Sequence, residues 1–153
     1  MHASSMRQAL SLVELLVVVA LLAIVLAVAA VVIARPSVHR DADALTRTLS
    51  TARWLAASTG VPKALIAHDD ALYRSAGAPL RCDVRPTGTA SWTPSQPLTL
   101  TWPAAGLAFG AHGRPLRCDG SAVGNATITL TGRDGSRAAV IVASLGRVRW
   151  ERR

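Results

Sequence analysis

The sequence predicts an α+β protein in which a long N-terminal helix, apolar in its first half and amphipathic in its second, packs on antiparallel β-sheet. Three observations carry this. Residues 15–34 run for twenty positions without a charged or polar side chain. Residues 38–56 place apolar side chains at alternating spacings of four and three, the signature of one buried helix face. From residue 61 onward the chain reads as short apolar and β-branched runs broken by Gly, Pro and charge.

The apolar run comes first. At about 1.5 Å per residue, twenty helical residues cover roughly 30 Å, the hydrocarbon thickness of a bilayer. The 153 residues therefore hold one domain plus an anchor. The expected division is a polar leader at 1–9, a membrane helix at 10–35, an amphipathic stem at 36–60 and a β-rich domain at 61–153. Arg7 precedes the apolar run, and a positive flank keeps that end cytoplasmic while the rest is exported. Three readings of the segment stay open: a cleavable secretory signal with Ala27-Val28-Ala29 as its site, a plain signal anchor, and an anchor in which Glu14 has a task. A carboxylate at the edge of a membrane helix is costly, so Glu14 calls for an explanation.

The stem follows Pro36, which kinks or breaks the helix. Its stripe is Val38, Ala42, Leu45, Leu49, Ala52 and Ala56, with Arg40, Asp41, Arg47 and Arg53 off it. Trp54 and Leu55 are expected to widen the stripe, and Gly60 with Pro62 ends the helix near Ser58. Strands are expected at 63–68, 72–75, 80–84, 98–102, 107–109, 126–131, 137–143 and 147–151. Asp69-Asp70 suits a tight turn, and Arg133-Asp134-Gly135 is a hairpin signal. Residues 86–97, rich in Thr, Ser and Pro, show no pattern and are expected to be mobile.

The two cysteines, Cys82 and Cys118, both fall in the domain expected outside the cytoplasm. An oxidising compartment favours a disulfide, which closing a loop of this size makes worth about 3–4 kcal/mol. Two buried thiols are the other reading. Neither Cys has a second ligand at short spacing, which argues against a metal site. His39, His68 and His112 are isolated and no nucleophile sits at a catalytic spacing, so neither an enzyme nor a cofactor is expected.

Charge is the remaining signal. Seventeen basic residues stand against nine acidic ones, a net charge of +8, and Lys63 is the one basic residue that is not Arg. Such a surface favours polyanions. The excess collects near the end, where Gly146-Arg147-Val148-Arg149 reads as a turn entering a strand. Alternation then points Arg147 and Arg149 to one face and Val148 and Trp150 to the other. The two guanidiniums stand about 6.8 Å apart, comparable to the spacing of adjacent phosphates. Arg152 and Arg153 extend the patch. A solvated strand face is the reading that composition alone favours.

Two stretches resemble a known family. Ala9-Leu10-Ser11-Leu12-Val13-Glu14 followed by the apolar run is similar to the class III signal of type IV prepilins and type II secretion pseudopilins. Ala9 stands where that family mostly has Gly, and Leu10 where it mostly has Phe. The resemblance implies cleavage between Ala9 and Leu10 by a prepilin peptidase, leaving Glu14 fifth to neutralise a neighbour's new α-amine during assembly. The second stretch includes Thr101-Trp102, Phe109, the turn at 110–113 and the closing run Ala138 through Arg149, which resemble the GspH/FimT family. The implied fold is pilin-like. The implied setting is the bacterial inner membrane, with the domain in the periplasm and other pilins or pseudopilins as partners in a filament. On the FimT side, Gly146, Arg147, Arg149, Arg152 and Arg153 imply contact with double-stranded DNA. On the GspH side the chain is a secretion-filament subunit that binds no DNA.

Overall fold

The computed structural model describes residues 12–33, 37–75, 88–102 and 106–153, with the backbone alone for 29–33. The chain forms two compact units, Met1–Arg35 and Pro36–Arg153.

In the first unit α1 runs Leu12–Ile33, 22 residues, with Glu14 in its first turn. Every side chain described on it, residues 12–28, is exposed, and apolar groups cover all sides. A helix of that kind has no polar face to give to water. Residues 12–28 span about 26 Å, and among the described residues no helix is long and apolar enough to cross a membrane. The full helical backbone reaches about 33 Å.

The second unit is built on α2, Val38–Thr59. Ser37 caps its start: the residue is extended, and its hydroxyl accepts the Arg40 N–H at 3.2 Å. Gly60 closes its end. The expected stripe is the buried face, namely Val38, Ala42, Leu45, Leu49, Ala52 and Ala56. Two expectations fail on this helix. Trp54 is 66% exposed, because about 100° per residue carries it roughly opposite Ala52 and Ala56. Asp41, expected off the stripe, is buried to 3% exposure. A distant segment covers it: the Ser95 N–H donates to Asp41 Oδ1 at 3.0 Å.

Two four-stranded antiparallel sheets pack with α2. The first contains β1 (Lys63–His68), β2 (Ala71–Ser75), β4 (Gly106–Phe109) and β5 (Pro115–Leu116), in the order β2-β1-β4-β5. The second contains β3 (Leu98–Thr101), β6 (Ala126–Gly132), β7 (Arg137–Val142) and β8 (Val148–Arg152), in the order β3-β6-β7-β8. Leu65, Phe109, Ile128, Leu130, Val140 and Val142 meet the α2 stripe in one core.

Asp69 and Asp70 make the expected tight turn, both with positive φ, as a two-residue hairpin requires. The expected strand at 80–84 lies outside the described residues, as do Pro36 and the first part of 86–97. The described part of that loop is anchored: Trp92 is buried and bridges to Leu72 in both directions, with N–H to carbonyl distances of 2.9 and 3.3 Å. No sequence pattern marks β5, which is two residues long and opens on a proline at the rim of its sheet.

Candidate functional site

The Arg-bearing segment begins at the β7–β8 turn. Ala143 N–H donates to the Arg147 carbonyl at 2.9 Å, and Gly146 N–H donates to the Ala143 carbonyl at 2.7 Å. The Ser144 N–H is taken by Asn125 Oδ1 at 3.0 Å. Gly146 has φ +85 and is buried. A Cβ there would stand 2.1 Å from the Gly113 carbonyl oxygen and 2.9 Å from Arg53 Nε. Gly146 is thus buried with its N–H already engaged within the turn. It lets the turn sit against the loop at 110–113 and against α2, and this fixes where Arg147 leaves the fold.

β8 then runs along the rim of its sheet, paired with β7 in the register Val142↔Val148, Ile141↔Arg149, Val140↔Trp150, Ala139↔Glu151 and Ala138↔Arg152. Val148 and Trp150 lie on the core side, as expected, and pack against the buried cluster. The Trp150 ring stacks on His39 of α2, centroids 5.6 Å apart and 21° from parallel. That contact clamps the strand to the helix. Arg147 and Arg149 are exposed on the outer face. With Ile141, Ala143 and Asn125 they line a shallow cleft of about 180 Å³.

The strand does not bring all the predicted groups together. Arg152 lies within β8 and alternates to the side of Trp150, away from Arg149. Arg153 passes the strand end, its N–H donating to the Arg137 carbonyl at 3.2 Å, and this adds the exposed Arg137 to the same corner. One residue was missed. Glu151 shares the outer face with Arg149, and its Oε1 lies 3.1 Å from an Arg149 guanidinium nitrogen. The signal was available, since residues two apart on a strand share a face.

The outer face continues as Thr127, Thr129 and Thr131 on β6 and Thr99 and Thr101 on β3, in register with β7. Among the described residues it presents hydroxyls, guanidiniums, the Glu151 carboxylate and the half-buried Ile141, and no aromatic ring. Such a face can hold phosphate oxygens and offers an unpaired base no aromatic ring to stack on.

The other predicted residues are apart from this face. Glu14 is in the first turn of α1, and Ala9 and Leu10 lie outside the described residues. Cys118, in the turn after β5, is not a free thiol; Cys82 lies outside the described residues. Two turn carboxylates are held below the ordinary carboxylate range. Asp134 receives the Ser136 hydroxyl at 2.6 Å and its N–H at 3.0 Å. Asp119 is held down by the Ser121 side chain and by its N–H at 2.8 Å.

A helix laid on two antiparallel sheets, preceded in the chain by an apolar helix with Glu14 in its first turn, is the pilin-like fold. Residues 4–30, which include Ala9, Leu10 and Glu14, match the prokaryotic N-terminal methylation motif. The fold is similar to that of the type IV minor pilin FimU of Pseudomonas aeruginosa strain PAO1, with a TM-score of 0.56 over 74% of this chain and 87% of that one, at 18% identity. No curated protein matches the chain in sequence.

Proposed function

We propose that the chain is a FimT-like minor pilin of a type IV pilus, anchored in the inner membrane, that binds double-stranded DNA without sequence preference during uptake. The observation that carries the DNA part is the outer face at β8, where Arg147 and Arg149 flank one cleft and the strands beyond it carry threonine hydroxyls and no aromatic ring. The methylation motif and the likeness to a minor pilin support the filament part. In this reading a prepilin peptidase cuts between Ala9 and Leu10, and Glu14 meets the amine of a neighbouring subunit. The apolar α1 holds the anchor, and Cys82 and Cys118 close a disulfide in the periplasm.

DNA would be held through its backbone, so affinity should fall with salt by about 0.9 log units per phosphate contacted. The test is titration of labelled duplex with the full chain in neutral detergent at several salt concentrations. Arg147→Ala/Arg149→Ala should weaken binding to every sequence alike and flatten the salt slope by about one unit per lost contact. Binding that survives the double substitution with an unchanged slope removes this face from the function.

A second reading keeps the filament and drops the DNA: a GspH-like pseudopilin of the type II secretion system. The observation in its favour is that Arg149 is already engaged by Glu151 on an edge strand. Charged side chains there also serve to stop sheet edges from pairing.

A further inference from the structure

Glu151 is the acidic residue of β8, and it stands on the face where Arg147 and Arg149 stand. Its carboxylate is 3.1 Å from the Arg149 guanidinium, with 45% of the Glu151 side chain and 56% of the Arg149 side chain exposed. Beneath them Ala139, directly across from Glu151, is fully buried although it points to the outer face. Neighbouring side chains therefore cover this small residue. Arg147 differs: it is exposed, and no ion pair holds it among the described residues. The two arginines are thus unequal. One is open to an incoming phosphate, and the other is occupied by a carboxylate, whose paired oxygens match a guanidinium as phosphate oxygens do.

We propose that Glu151 is an internal competitor for Arg149, occupying the guanidinium in the free protein and setting how tightly the β8 face holds a nucleic-acid backbone. This rests on the DNA reading above and concerns the regulation of that same face. Arg147 makes the first phosphate contact. Arg149 joins when it leaves Glu151, at the loss of an exposed ion pair. Such pairs are worth little, so the competitor weakens binding by a modest factor and leaves it reversible. A subunit that must pass a polymer onward gains from contacts that release.

The expected gain follows from the exposure. Removing an exposed pair of this kind frees Arg149 by about two- to fivefold in affinity. Glu151→Gln, close to isosteric, should therefore bind labelled duplex about two- to fivefold tighter than the full wild-type chain, with a salt slope steeper by up to about 0.9. The decisive arm is the cycle with Arg149→Ala. If Glu151 acts through Arg149, the gain disappears in that background. Thermal unfolding of each variant confirms that the fold is retained. Duplex binding by the wild type that Glu151→Gln leaves unchanged overturns the competitor alone. A gain that persists in full with Arg149→Ala overturns it too, since the carboxylate would then act as a distant charge. No binding by either form at low salt overturns the DNA reading and this inference together.

Discussion

Replacing Gly146 with alanine should destabilise the domain far more than the same change at Gly135, although both have positive φ, +85 and +80. The backbone term is common to the two: a Cβ in the left-handed region costs about 1–2 kcal/mol. The packing term is not. A Cβ at Gly135 meets nothing within 4 Å, whereas one at Gly146 meets the Gly113 carbonyl oxygen at 2.1 Å and Arg53 Nε at 2.9 Å. The arginine can swing away, but the carbonyl belongs to backbone, so the turn must move. Overpacking of that kind adds about 1–3 kcal/mol. Gly146→Ala should therefore cost about 2–5 kcal/mol and Gly135→Ala about 1–2 kcal/mol, against a typical total of about 5–15 kcal/mol. For the unit Pro36–Arg153, at about 4 °C per kcal/mol, the melting points fall by about 8–20 °C and about 4–8 °C. Tryptophan fluorescence during a thermal ramp reads this unit selectively, because Trp54, Trp92, Trp102 and Trp150 all lie in it. Equal losses at the two glycines would refute the close approach and leave Gly146 as an ordinary turn glycine.

Three more expectations can be checked on the same preparation. Asp41→Ala should cost about 1.5–3 kcal/mol in urea unfolding, because it removes the carboxylate that accepts the part-buried hydrogen bond from the Ser95 N–H. Asp41→Asn should cost less, since it keeps the acceptor and removes a charge whose second oxygen has no hydrogen-bond partner among the described residues. Acid should act through Asp119 and Asp134, whose folded-state values are depressed. The stability each contributes is present above the ordinary carboxylate value and is lost as pH falls through the depressed one, so Asp134→Asn should flatten that acid limb in a series of melts. Under reducing conditions the melting point should fall by the equivalent of about 3–4 kcal/mol if Cys82 and Cys118 close a disulfide, and Cys118→Ser should melt alike with or without reductant.

What could be read from the sequence was whatever is local. The α2 stripe is a spacing of four and three, and its six residues are the apolar ones buried along that helix. Thr127, Ile128, Thr129, Leu130 and Thr131 alternate because a sheet with one wet face requires it, and Ile128 and Leu130 are fully buried. What could not be read depends on partners far along the chain. Asp41 is buried by a segment 54 residues away. β4 pairs with β1, Leu107 opposite Leu65, while the preceding β3 joins the other sheet, and this splits the strands into two sheets. The same limit applies to the site. Alternation alone places Arg147 and Arg149 together and could have placed Glu151 with them. The contact between Gly146 and Gly113 comes from how one loop packs on another, and no spacing encodes it.

The two readings of the β8 face differ in one physical respect, the sign of the charge. A strand at the rim of a sheet offers unpaired backbone groups to any other chain, and a charged side chain of either sign discourages such pairing. A phosphate backbone discriminates by sign. Two double substitutions separate these. Arg147→Val/Arg149→Val removes the charge, and Arg147→Glu/Arg149→Glu keeps charge at the rim with its sign reversed. The second sets a new carboxylate beside Glu151, an exposed repulsion of about 1 kcal/mol at most, too small to unfold the domain. If the arginines serve only to guard the edge, the Glu variant should remain as dispersed as the wild type in light scattering while the Val variant associates, and affinity for duplex should be equally weak in all three. If they hold phosphates, the wild type binds, the Val variant loses most of its affinity, and the Glu variant loses more, because it repels the polymer that the arginines attract. A Glu variant that binds duplex as well as the wild type would show that phosphate contact is not what these two arginines do.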